Sequence, residues 1–233
     1  MKTATMSLRV LARLLSYPDA ELRGHLDDMR DALHSEGAVP EARLAELDAL
    51  IRNLGSGDAL ETEAGYVQLF DRGRATSLHL FEHVHGDSRD RGPAMIDLTQ
   101  TYEKAGLFLA PGELPDYLPV VLEFASTQPP KEARAFLGEI AHILNAIFSA
   151  LVKRESAYAC VIAALLEIGG EKVQAVKVAE DQALDESWAE PVVFDGCSTQ
   201  GQAKPNQPQP IHIVRNEKAR AATASAVRQG VPS

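Results

Sequence analysis

Apolar positions recur at helical spacing along most of the chain. Leu8, Leu11 and Leu15 fall at i, i+3 and i+7, and Leu22, Leu26, Met29 and Leu33 resume the stripe after the Tyr17-Pro18-Asp19 break. Leu44, Leu47, Ile51 and Leu54 form a third stripe, entered through Pro40 and closed by Gly55 and Gly57. One-sided stripes of this period mark amphipathic helices, and proline at the start with glycine past the end fits helix-terminus chemistry. The spacing predicts further helices over 59–70, 76–84 and 93–106, the last with Met95, Leu98 and Tyr102 inward. Leu118, Val121, Leu122 and Ala125 mark the next helix, with Asp116 as its candidate N-cap and Pro119 in the first turn, where a missing N–H costs little. Leu137, Ile140, Leu144, Ile147 and Leu151 make the longest stripe. Tyr158, Ile162 and Leu165 carry the pattern to Gly169-Gly170, and a weaker helix is predicted over 171–183. No segment alternates convincingly with period two, the nearest being 211–214. The predicted fold is all-α, a single bundle of roughly eight or nine helices.

The pattern changes near Asp185. Residues 180–195 hold six acids and no base, and beyond them Gly, Gln, Pro, Ser, Thr and Ala dominate. Such a segment buries too little apolar surface to offset the entropy of ordering it. We therefore expect a helical domain over 1–185, then over 186–233 an acidic linker and a flexible, disordered Pro/Gln/Ala-rich tail.

Charge narrows the partners. The 233 residues carry a formal net charge of −10, but residues 196–233 hold five bases and one acid, leaving 18 bases against 32 acids, a net of −14, in 1–195. An acidic body argues against nucleic acid as a partner and favours cationic ones. Cys160 and Cys197 are the only cysteines, which excludes a disulfide framework or a CxxC pair and fits a reducing compartment. Arg9 and Arg13 interrupt the N-terminal apolar stretch, and the longest apolar run, 157–166, is ten residues. A bilayer span needs about twenty. The expectation is a cytoplasmic protein that is not integral to a membrane.

Candidate chemistry concentrates in 66–97, which holds three of the seven histidines and four arginines, 72, 74, 89 and 91, among Asp71, Glu82, Asp87 and Asp90. On the predicted helix His79 and His83 stand at i, i+4 with Glu82 adjacent and His85 just beyond, a spacing that suits a shared metal. A metal-dependent helical enzyme using His79, His83 and His85 is the alternative reading, although Leu80 after His79 breaks the HExxH signature. The chain has no adjacent His-Asp pair, no G-x-S-x-G elbow and no phosphate-binding glycine loop, and Cys160 lies on an apolar helix face. No catalytic constellation emerges, and the chain is read as a non-enzyme. Arg72, Arg74, Arg89 and Arg91, with Asp90, form either an internal ion-pair network fixing the loops or an anion contact, for which guanidinium is well shaped.

The same segment carries a family resemblance. Tyr66-x-x-Leu69-Phe70, Asp71-Arg72-Gly73-Arg74-Ala75-Thr76-Ser77-Leu78, Leu80-Phe81-Glu82-His83-Val84-His85-Gly86 and Ser88-Arg89-Asp90-Arg91-Gly92 resemble the delta-subunit assembly chaperones of respiratory nitrate reductase, the NarJ family of redox-enzyme maturation chaperones. Glu113-Leu114-Pro115-Asp116-Tyr117-Leu118-Pro119 with Leu122-Glu123, and Arg13-Leu14-Leu15-Ser16-Tyr17-Pro18-Asp19, are similar too. The likeness spans roughly 8–185. It implies an all-helical chaperone that binds the N-terminal, twin-arginine-like leader of the reductase catalytic (alpha) subunit. The chaperone would hold that apo-subunit, or the alpha–beta complex, while iron–sulfur and molybdenum cofactors are inserted, and delay membrane docking. It implies no catalysis and no cofactor of the chaperone's own. A basic amphipathic leader needs an apolar channel with an acidic rim. The candidate peptide-binding residues are Tyr66, Phe70, Leu78, Phe81, Tyr117, Leu118 and Val121 for the channel, with Glu82, His83, Asp87, Asp116 and Glu123 at its rim.

Overall fold

The computed structural model describes residues 3–86 and 88–176. Asp87, residues 177–183 of the weaker predicted helix, the 211–214 run and the predicted linker and tail lie outside the described residues. Eleven α-helices appear in the described residues: α1 Thr5–Leu14, α2 Ala20–Gly24, α3 Leu26–Glu36, α4 Glu41–Ser56, α5 Ala59–Tyr66, α6 Leu80–Val84, α7 Arg91–Lys104, α8 Leu118–Thr127, α9 Pro130–Glu139, α10 Ala141–Lys153 and α11 Ala159–Gly169. The only β pairing among them is a single antiparallel bridge between His79 and Tyr117. The all-α expectation holds, but the helices outnumber the predicted eight or nine because two apolar stripes are broken.

Each break has a local cause. The Leu22–Leu33 stripe divides at His25, whose φ of −110° leaves the helical region. The longest stripe divides at Ile140, and α9 and α10 meet at 63°. A period count is blind to such a bend, because residue spacing is preserved while the axis turns. Residues 171–176 are not helical. They run along α10, held by Asn145 Oδ1 accepting from the Gln174 N–H (2.8 Å) and Ser149 Oγ accepting from the Val176 N–H (2.8 Å).

Caps set the helix starts. Asp19 accepts from the Leu22 N–H (2.8 Å) at α2, and Asp58 from the Glu61 N–H (3.1 Å) at α5. The first turn of α1 is capped from a distance, its Met6 and Ser7 N–H groups donating to the Glu36 carboxylate of α3. Gly170 closes α11 with φ +76°, and a Cβ there would strike the Arg134 guanidinium.

The core is centred on α11. Its Cys160, Val161, Ile162, Ala163, Ala164, Leu165 and Leu166 are all buried, which is how a helix apolar on every side must sit. Helices α4, α9 and α10 pack on it, and α1 lies between it and α8. Burial pushes the Cys160 thiol up to about 12, so this cysteine is a small core residue rather than a nucleophile. No single helix among the described residues is long and apolar enough to cross a membrane. One helix departs from the pattern: α7, fourteen residues long, buries only Tyr102.

Candidate functional site

The segment 66–92 folds against the start of α8. Helix α5 runs into a π-turn, Val67–Asp71, closed by the Arg72 N–H bonding to the Val67 carbonyl (3.3 Å). A 3₁₀ turn, Arg74–Thr76, follows. Gly73 lies between them because a side chain there would collide with the Arg154 guanidinium and the Thr76 hydroxyl. Thr76 is fully buried, and its hydroxyl donates to the Leu69 carbonyl.

Residues 77–79 are extended, which corrects the predicted helix over 76–84. The Leu118 N–H donates to the Leu78 carbonyl (2.8 Å) and the Leu80 N–H to the Asp116 carbonyl (3.0 Å). His79 is therefore the residue before α6, not a member of its first turn. His79 and His83 do not share a helix face, and their rings serve different partners. His79 Nδ1 lies 3.3 Å from Asp116 Oδ1, whereas His83 Nε2–H donates to the Ser77 carbonyl (2.8 Å). His85 packs edge-on against Phe81, with ring centroids 5.4 Å apart. Among the described residues no three His, Cys, Asp or Glu side chains are placed to hold a metal ion. The i, i+4 metal reading fails because a tertiary strand-like contact displaced the helix start.

Asp116 is the centre of the site. It does not cap α8, whose N-cap is Tyr117, and it is no rim acid, being 0% exposed. Its Oδ2 accepts from the Phe81 N–H (3.2 Å) and stands 3.8 Å from Arg91 Nη2, which is also 3.6 Å from Glu82 Oε1. One carboxylate thus ties the extended strand, α6, the start of α7 and the 114–117 turn together. The hydrogen bond to Asp116 raises the His79 pKa, and partial desolvation only partly opposes it. A folded pKa above the ordinary value stabilises the fold fully below about pH 6.5 and loses that stabilisation as pH rises through the folded value. The stability gap between the wild type and His79→Gln should accordingly be larger at acidic than at alkaline pH, read by urea titration. A pH-independent gap would show that the imidazole is only a packing element here.

Burial divides the predicted channel. Tyr66, Phe70, Leu78, Leu118 and Val121 belong to the core, at 5% exposure or less. Tyr66 packs on Phe70 and Tyr158 and donates to the Leu15 carbonyl (2.8 Å), and its own pKa is driven up chiefly by burial. Side chains so covered offer a peptide little open surface, although Phe70 reaches the wall of a cavity beside the 72–74 turn. Phe81 and Tyr117 are half-buried and keep exposed surface, Tyr117 stacking on His79 with its hydroxyl 3.2 Å from that of Tyr66. Glu82 and His83 are half-buried, and Glu123 is exposed on α8. Arg89 and Asp90 are exposed, Asp90 bonding only locally to Ser88, and Arg72 and Arg74 are exposed at the turn. Of the four arginines, Arg91 is the one that joins the buried ion-pair group.

Periodicity missed the outward face of α7. Met95, Ile96, Thr99, Gln100 and Glu103 form, with Leu114 and Pro115, an open trough of about 340 Å³. Ile96 is 60% and Leu114 44% exposed. Tyr102 anchors this helix through its hydroxyl, which donates to the Pro115 carbonyl (2.8 Å), and through its ring, 4.8 Å from that of Phe124. The available signal was the mismatch between an apolar Met95-Ile96 pair and a stripe that faces inward elsewhere.

Three comparisons bear on this arrangement. The family described as nitrate reductase delta subunit matches residues 21–164. The chain is 44% identical over 195 residues to the nitrate reductase molybdenum cofactor assembly chaperone NarJ of Escherichia coli K12, covering 79% of this chain and 83% of that one. It is 37% identical over 193 residues to NarW of the same strain, a candidate chaperone of the same description, covering 78% and 80%. In fold it is similar to a solved Archaeoglobus fulgidus chain, a candidate redox enzyme maturation protein, with a TM-score of 0.51 at 20% identity over 73% of this chain and 96% of that one.

Proposed function

The chain belongs to the nitrate reductase delta-subunit family, and from that premise we propose that it is a cytoplasmic chaperone that binds the N-terminal leader of the reductase catalytic subunit. It holds the apo-subunit, alone or with its beta partner, for iron–sulfur and molybdenum cofactor insertion before membrane docking, and performs no reaction itself. The observation that carries the leader-binding reading is the exposed apolar trough of α7 and the 114–117 turn, next to the half-exposed Phe81 and Tyr117. Apolar side chains grouped in one exposed trough, rather than scattered singly, mark a surface that a partner can cover. A leader that folds as a basic amphipathic helix would lay its apolar face on Ile96 and Leu114. Its basic face would meet Glu82, Glu103 and Glu123, in a body with 18 bases against 32 acids over 1–195. Long-range attraction of this kind speeds encounter and is screened by salt.

A synthetic peptide of the catalytic subunit's N-terminus should bind the full chain in calorimetry. Ile96→Asp with Leu114→Asp should weaken it by ~30-fold or more, since each removes an apolar anchor and places a charge under the peptide's apolar face. Both residues are exposed, so the thermal midpoint should hardly move. Unchanged affinity in that double variant would remove the trough from the site, and no heat with the wild type would end the leader reading.

A further inference from the structure

A second cavity lies on the other side of the Asp116 cluster. It measures about 440 Å³, and Phe70, Arg72, Arg74, Ser77, His79 and Arg91 line it together with the carboxylates of Asp71 and Glu82. In a strongly acidic body, three guanidinium groups from two separate elements converge on it. A fourth, that of Arg154, lies against Gly73 directly beneath the turn that carries Arg72 and Arg74. Asp116 stands behind the cavity, balanced by His79 and Arg91.

We propose that this cavity is a binding site for a phosphate monoester, distinct from the apolar trough and independent of leader binding. Two features support an anion over a closed internal network. Arg91 stands 3.6 Å from Glu82 and 3.8 Å from Asp116, beyond hydrogen-bond length on both sides, so its N–H groups keep the capacity to engage a ligand. Arg72 is exposed and has no carboxylate partner among the described residues. Planar guanidinium donors match the oxygen spacing of phosphate in a way that a lone ammonium does not. Ser77 supplies a preformed donor. It is 4% exposed, its oxygen accepts from the His79 N–H (3.2 Å), and its own O–H is left to donate into the cavity. A dianionic phosphate group engages Arg72, Arg91 and Ser77 together, with the charge of Arg74 beside them, and Asp71 and Glu82 in the same lining disfavour a second anion. The volume exceeds that of phosphate alone, and Phe70 gives one apolar wall, so a ring attached to the phosphate fits beside it.

The test is calorimetry on the full chain at low ionic strength, with inorganic phosphate, phenyl phosphate and acetate as probes. Phenyl phosphate should bind more tightly than inorganic phosphate, and acetate should not saturate. Arg72→Ala should weaken phenyl phosphate by ~10-fold, the loss expected for one charge-assisted hydrogen-bonding partner, and Ser77→Ala by a smaller factor. Arg52→Ala, an exposed arginine on α4 remote in sequence from the cavity, should leave binding unchanged. Arg72 is exposed, and an unaltered thermal midpoint in Arg72→Ala separates lost binding from lost folding. Equal affinity in Arg72→Ala and the wild type, or acetate binding as tightly as phosphate, overturns the proposal. Leader peptide binding measured on the same variants should persist, so the failure of one reading leaves the other standing.

Discussion

Tyr102→Ala should destabilise the protein by about 4 kcal/mol and release α7, the largest single effect we expect. The ring is 1% exposed and is the only buried side chain on that helix, seated against Phe124, which in turn packs edge-on to Phe136. Truncation leaves a cavity beside Phe124 and removes the hydroxyl that holds the Pro115 carbonyl. With its anchor gone, α7 retains the half-buried Ala94, Met95 and Leu98 and, at its other end, the long Arg91 contacts to Glu82 and Asp116. Tyr102→Phe keeps the ring and should cost about 1 kcal/mol, the net value of a typical hydrogen bond. Urea denaturation gives the energies, and hydrogen exchange along 91–104 reports whether the helix has let go. If Tyr102→Phe costs as much as Tyr102→Ala, the hydroxyl rather than the ring is the anchor. Because α7 supplies most of the apolar trough, Tyr102→Ala should also abolish leader binding, which ties the stability of this helix to the chaperone's proposed task.

Asp116→Ala should cost about 3 kcal/mol, since removing one side of a buried charged cluster strands its partners. The Phe81 N–H loses its acceptor, and His79 and Arg91 lose the carboxylate they share. Asp116→Asn keeps the shape and one acceptor oxygen. Its amide N–H₂ faces groups that are themselves donors, so it should fall between the wild type and Ala. The His79 pKa should drop in both variants, because the hydrogen bond that raises it is gone or weakened. Imidazole chemical-shift titration reads this directly. A His79 value that stays raised in Asp116→Ala would mean that some other group holds its proton, and the cluster described above would need redrawing.

These two residues show where the chain could be read in one dimension and where it could not. The stripes of α1, α4 and α11 were legible because a helix against a core must repeat its apolar positions at its own turn. The 66–92 and 113–123 motifs were legible as a family resemblance, and they do meet in space through Leu78–Leu118, Leu80–Asp116 and Phe81–Asp116 bonds. Asp116 was misplaced because an acid two residues before an apolar run is a good local cap, and nothing local reveals that its carboxylate turns inward to another segment. The aromatic channel was misplaced for a related reason. Tyr66 and Phe70 have the composition of a binding surface and of a core alike, and only their burial separates the two.

From the chain alone came the helical class, the core faces of the long helices, the inert role of Cys160 and the family, all of which depend on residues near one another in sequence or on motif identity. The tertiary structure decided where His79 leaves the helix, which acid is buried, which aromatics keep open surface, and that an apolar trough and a guanidinium-lined cavity flank one buried carboxylate. Those outcomes depend on pairings across thirty or more residues, such as His79 with Tyr117 and Phe81 with Asp116, and local propensity is overridden where such pairings satisfy backbone groups and charge that would otherwise be buried alone.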